Sequence, residues 1–87
     1  MDARALVAKN VRRLRVAKNL SQEALAVDAE IDRTYVSRVE RGLENPTVAV
    51  LQRIAIALSV DIREFFDPNA VGRAAIRPLP SGRRKRA

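Results

Sequence analysis

The sequence contains no cysteine, no histidine and no tryptophan. Without cysteine there are no disulfides, no thiolate zinc site and no thiol nucleophile. Without histidine the commonest general base and the commonest metal ligand are missing. The carboxylates form no recognisable pair. Ser21, Ser37 and Ser59 have no histidine to activate them, and there is no glycine-rich phosphate loop, so catalysis is not expected. Aromatics are limited to Tyr35, Phe65 and Phe66, and alternating β-branched runs are absent, which removes any argument for a sheet. No apolar run reaches the roughly 18 residues of a membrane span. Met1-Asp2-Ala3-Arg4 opens on an acid, with no continuous apolar stretch and cleavage site of the secretory kind. The expectation is a cytoplasmic protein of a reducing compartment, with no cofactor and no metal.

What the chain does have is charge, unevenly spread. Its 87 residues hold 17 Lys+Arg against 10 Asp+Glu, a formal net charge of +7. That length allows one small domain. Residues 1–68 are nearly balanced, with eleven basic and ten acidic side chains. Within that block residues 1–18 are basic and residues 19–68 acidic. Residues 69–87 carry Arg73, Arg77, Arg83, Arg84, Lys85 and Arg86 with no acid. A polarised body followed by a cationic segment suits a polyanion, nucleic acid before membrane.

Five helical segments can be read from period and punctuation, so the fold class is all-α. The first spans about Ala3 to Lys18, with Val7, Val11 and Leu14 on one stripe and Arg12 and Arg13 facing away. Asn19 follows, at a position where a left-handed backbone is tolerated. Ser21 is an N-cap for a second helix that buries Leu25, Ala26 and Ala29, with Glu23 in the first turn where the helix dipole favours an anion. Asp32 is an N-cap for a third helix that ends at Arg41-Gly42. Thr47 caps a fourth, whose stripe is Leu51, Ile54, Ala55 and Leu58. A short fifth starts at Asp61, with Glu64 at capping-box spacing and Val60 able to staple onto Phe65, and stops before Pro68. From Asn69 to Ala87 apolar period is lost and Gly, Pro, Ser and Arg dominate. This segment reads as a flexible basic tail behind a domain of residues 1–68.

Only about three residues separate the second and third helices, which is helix-turn-helix spacing. Leu25, Ala29, Ile31, Val36 and Val39 fall where such a pair must bury apolar groups, and Ala26 where the helices approach most closely. The runs Leu20-Ser21-Gln22-Glu23-Ala24-Leu25-Ala26, Ile31-Asp32-Arg33-Thr34-Tyr35-Val36-Ser37-Arg38-Val39-Glu40-Arg41-Gly42 and Asn45-Pro46-Thr47 resemble the phage-repressor/Cro-type (xenobiotic-response-element) helix-turn-helix regulators. The Asp-Arg-Thr-Tyr-Val-Ser run is also similar to the controller proteins of restriction–modification systems. The resemblance covers roughly residues 5–67. It implies a lambda-repressor-like five-helix domain, a homodimer, and the third helix in the major groove of a palindromic double-stranded DNA operator. It also implies a bacterial or phage transcriptional regulator associated with the nucleoid. The same fold serves as a protein-interaction module, such as an antitoxin or adaptor, and in that case the outward face of the third helix is dispensable.

The residues of the third helix agree with the DNA reading. Stepping about 100° per residue from Val36 places Thr34, Ser37, Arg38 and Arg41 at roughly 100–200°, opposite the buried edge, with Arg33 at the shoulder. No carboxylate of the helix falls on that face, although the surrounding block is acidic. Arg33, Thr34, Ser37 and Arg38 are the candidate base contacts, because a guanidinium bridges guanine O6 and N7 and a threonine offers a hydroxyl or a methyl. Gln22, Tyr35, Arg41, Asn45 and Thr47 are candidate phosphate contacts. Gln22 can equally be an ordinary first-turn residue, and Tyr35 a packing residue. The resemblance pairs Arg15 with Glu40 as an ion pair joining the first and third helices. It departs from this sequence at Glu30 and Ser59, where glycine is usual, and at Val48, near which some phage repressors carry a groove-inserting arginine.

Ile56 lies about 140° from Leu51, off the core stripe of its helix. Ile62, Phe65 and Phe66 are read as sharing one face of the fifth segment. Ile56, Ile62 and Phe66 are the candidate homodimer surface; otherwise they complete the monomer core. Arg83-Arg84-Lys85-Arg86 either adds sequence-independent phosphate contacts or is a dangling terminus.

Overall fold

The computed structural model describes residues 2–69. The expected basic tail, apart from Asn69, lies outside the described residues. Four α-helices follow one another: α1 (Ala3–Ala17), α2 (Gln22–Ala29), α3 (Arg33–Glu40) and α4 (Val48–Leu58). A 3-10 helix, Ile62–Phe66, comes fifth. Among the described residues there is no strand and no helix long and apolar enough to cross a membrane.

Each helix start has a chemical reason. Asp2 accepts from the Ala5 amide at 2.8 Å, Ser21 Oγ from Ala24 at 2.9 Å and Thr47 Oγ1 from Val50 at 3.1 Å, which satisfies amides with no partner inside their helices. Asp32 holds the extended N-cap backbone of α3, but its carboxylate caps nothing. The helix ends are equally regular. Asn19, Glu30, Gly42 and Ser59 all take positive φ, at 59°, 60°, 74° and 57°. The next amide then folds back onto a carbonyl of the last turn: Leu20 to Arg15, Ile31 to Ala26, Leu43 to Arg38 and Val60 to Ala55, at 2.9–3.2 Å.

The core draws on every element. Val7, Val11 and Leu14 of α1 pack with Leu25, Ala26 and Ala29 of α2, Val36 and Val39 of α3, Leu51, Ile54, Ala55 and Leu58 of α4, and Phe65. Ile31, Tyr35, Val60 and Ile62 pack against this core half-buried. Lys18, in register with the α1 stripe, is exposed past the helix end.

Three expectations are corrected at the C-terminal end. The fifth segment is not an α-helix, and Phe65 and Phe66 do not share a face: Phe65 is fully buried and Phe66 is 45% exposed. With three residues per turn, positions i and i+3 eclipse, so Ile62 aligns with Phe65 while Phe66 turns outward. The capping box is also absent. Asp61 accepts from the Arg63 amide at 2.8 Å, which lowers its pKa, and Glu64 instead lies 3.9 Å from the Arg13 guanidinium. Asp67 is extended, at φ −85° and ψ 106°, as expected before proline. Pro68 and Asn69 have helical backbone, with Asp67 accepting from the Asn69 amide at 2.9 Å.

Asn10 is a fully buried polar residue that sequence reasoning missed. Its Nδ2 donates to the Phe65 carbonyl at 3.0 Å and the Asp67 carbonyl at 3.1 Å. Its Oδ1 accepts from Arg13 Nε and Nη2 at 3.2 and 3.0 Å. One side chain thus ties the C-terminal turn to α1 with all its strong groups matched.

Glu30 carries a Cβ in the left-handed region and its side chain is exposed. Glu30→Gly removes a steric cost that exceeds the added unfolded-state entropy by about 0.5–1 kcal/mol. A thermal melt is expected to shift up by about 3–6 °C; a downward shift contradicts strain at this turn.

Candidate nucleic-acid interface

The turn between α2 and α3 is held from outside. Arg53 of α4 donates through Nε to the Ala29 carbonyl at 3.1 Å and through Nη2 to the Glu30 carbonyl. A guanidinium placed on the last carbonyls of α2 complements the negative end of that helix. It also fixes the turn from which α3 departs. Sequence reasoning missed it, because Arg53 finds its partners 23 and 24 positions away.

The other end of α3 is held by a buried charge network. Glu40 and Arg15 have side chains only 3% and 12% exposed. Arg15 Nε donates to Glu40 Oε2 at 2.7 Å and Arg15 Nη2 to Oε1 at 3.0 Å. Gln22 Nε2 donates to the same Oε1 at 3.1 Å. Arg15 Nη1 donates to the Leu20 carbonyl at 2.7 Å. This joins α1, the α1–α2 loop, the first turn of α2 and the last turn of α3. Gln22 is therefore more than an ordinary first-turn residue: it braces α3, and its second Nε2 proton and its Oε1 have no partner among the described residues.

Between these two supports α3 turns Val36 and Val39 inward. Arg33, Thr34 and Arg41 are exposed; Tyr35, Ser37 and Arg38 are half-buried. Among the described residues, Arg33 and Arg41 have no carboxylate within ion-pair distance. Arg38 has one. Its Nε lies 2.6 Å from Glu44 Oε2, and its Nη2 donates to the Leu43 carbonyl at 3.3 Å. The expectation of a face free of acids holds for the helix itself but not for the surface, because the loop after Gly42 returns a carboxylate to it. Tyr35 packs on the core. Its hydroxyl pKa is raised, first by burial and then by the Glu44 charge, so the phenol stays a neutral donor.

Asn45 and Thr47 are exposed before α4. The Thr47 hydroxyl is committed to its cap, and the first amides of α4 form the positive end of that helix. Val48 is exposed beside them at 75%. On the C-terminal elements Ile56 is 67% and Phe66 45% exposed, while Ile62 is half-buried against the core. Among the described residues no cluster of acidic side chains is suited to hold a metal ion.

A family model described as helix-turn-helix matches residues 11–65. The control protein C.BamHI of Bacillus amyloliquefaciens is 37% identical over 72 residues, covering 82% of this chain and 89% of that protein. The restriction–modification controller protein C.AhdI of Aeromonas hydrophila has a solved structure that superposes with a TM-score of 0.71 at 41% identity, covering 72% of this chain and 96% of its own. The controller protein C.Esp1396I, solved as a tetramer in complex with its natural 35 base-pair operator, gives a TM-score of 0.70 at 33% identity, over 76% of this chain and 87% of that one.

Glu40→Gln removes the charge that neutralises Arg15 while keeping shape. An uncompensated, largely buried guanidinium is expected to cost about 3 kcal/mol, read from the urea midpoint. A variant that melts with the parent contradicts the brace.

Proposed function

This chain belongs to the helix-turn-helix family of XRE-type DNA-binding regulators, and from that premise we propose that it binds double-stranded DNA sequence-specifically as a homodimeric transcriptional regulator, with α3 in the major groove. The observation that carries this reading is the state of Arg33 and Thr34. Both stand exposed on the first turn of a helix whose last turn is braced by Arg15 and Gln22 and whose preceding turn is held by Arg53, and Arg33 is free of any carboxylate among the described residues.

Base readout falls to Arg33, Thr34, Ser37 and Arg38. A bidentate arginine–guanine contact is worth about 1–3 kcal/mol of discrimination, and it requires a side chain whose backbone does not wander. Arg41, Tyr35, the free Gln22 proton, Asn45 and the Thr47–α4 terminus are the phosphate contacts. They lie around α3 and set its register without reading sequence.

The dimer is carried by Ile56 and Phe66, whose apolar surface is open in the single chain, with Ile62 completing the patch from below. A two-fold interface there presents two recognition helices to half-sites ~34 Å apart. It also relieves the marginal stability of a body this small, which buries only about 60% of its chain surface.

Selection of bound duplexes from a random pool is expected to return a palindrome with one fixed half-site spacing. Arg33→Ala is expected to keep its melting temperature and to lose about tenfold or more in discrimination at one base pair per half-site. A pool that returns no enriched sequence, or an Arg33→Ala variant that discriminates like the parent, overturns the reading. Sedimentation at micromolar concentration is expected to give a dimer that Ile56→Asp dissociates; a monomer both free and on DNA contradicts the interface.

A further inference from the structure

We propose that Glu44 is a positioning residue for specificity: it withholds Arg38 from phosphates and presents the outer end of its guanidinium to a base edge. The inference rests on α3 being the recognition helix. Arg38 lies on the outward face of that helix, and its Nε and one Nη2 proton are used by Glu44 and the Leu43 carbonyl. Of the five N–H donors of a guanidinium, three remain, both on Nη1 and one on Nη2. These form the end of the fork, the pair of nitrogens that spans guanine O6 and N7.

The turn after α3 is what brings Glu44 there. Gly42 at φ 74° and the bond from the Leu43 amide to the Arg38 carbonyl at 2.9 Å fold the chain back across the last turn of the helix. Position 44 then returns beside position 38, with the two side chains 28% and 43% exposed. The Glu44 charge is also felt at Tyr35, whose hydroxyl pKa is raised first by burial and then by this carboxylate. Arg33 on the same helix and Arg41 at its C-cap have no such partner among the described residues.

A free arginine beside a duplex is drawn to the nearest phosphate, and that attraction carries no sequence information. A carboxylate partner cancels the net charge and with it most of the pull. The directed N–H donors survive for a base edge. Removing the Glu44 charge therefore acts in opposite senses on non-specific affinity and on discrimination. A merely structural pair would not do this.

The test uses the full chain, the duplex recovered by selection from a random pool, and a scrambled duplex of equal length and composition. Binding is followed by fluorescence anisotropy across a salt series, with a thermal melt of each variant as the control for folding. For Glu44→Gln, the scrambled duplex is expected to bind more tightly, with a salt slope steeper by about 0.9, the value for one more neutralised phosphate. Discrimination at one base pair per half-site is expected to fall about tenfold. Glu44→Gln combined with Arg38→Ala is expected to lose the gain on scrambled DNA, since that gain runs through Arg38. An unchanged slope and discrimination in Glu44→Gln, or a gain that persists in the double variant, overturns the proposal while leaving α3 as the reader. Failure of the parent chain to enrich any sequence overturns both.

Discussion

The structure depends on where one carboxylate is allowed to be. Glu40 is almost fully enclosed and takes three donors, two from Arg15 and one from Gln22. A pair of this kind adds little net stability, because desolvation offsets most of the Coulombic gain. Its effect is to penalise every other arrangement. If α3 rotates or slides, a buried charge loses its partner. The chain thereby converts a marginal core into a single orientation of one short helix. At the opposite end Arg53 fixes the end of α2 through the Ala29 and Glu30 carbonyls, so the last turn of α3 is held directly and the turn that leads into it is held by another helix.

Positioned in this way, α3 and its C-cap carry arginines of two kinds. Arg33 and Arg41 stand open, and Arg38 is bound to Glu44. Long-range attraction to a polyanion and short-range reading of base edges need different things from a guanidinium. The first needs net charge; the second needs directed donors. Under the proposal made for Glu44, pairing one of the three arginines lets α3 and its C-cap supply both.

Much of this was legible in the sequence because it is local. The stripe Leu51, Ile54, Ala55 and Leu58 is clear over the eleven residues of α4. Ser21 and Thr47 cap as their chemistry dictates, and Glu30 and Ser59 are left-handed where the helix ends require it. What was not legible depends on chain segments meeting in space. Asn10 sits on the α1 stripe between Val7 and Leu14, a signal in itself for a buried polar staple, but its partners are 55 and 57 positions away. Glu44 reaches Arg38 only because Gly42 reverses the chain. The last segment is too short for periodicity to separate an α-helix from a 3-10 helix, and that difference decides whether Phe66 points inward or out.

The most direct measurement is the map of amide chemical-shift changes when the labelled chain is titrated with its selected duplex. The changes are expected to concentrate on Arg33, Thr34, Ser37 and Arg38, with a second set at Gln22 and the Asn45–Thr47 loop. Changes centred instead on the exposed face of α1, at Lys9, Arg12 and Val16, with α3 undisturbed, would contradict α3 as the reader.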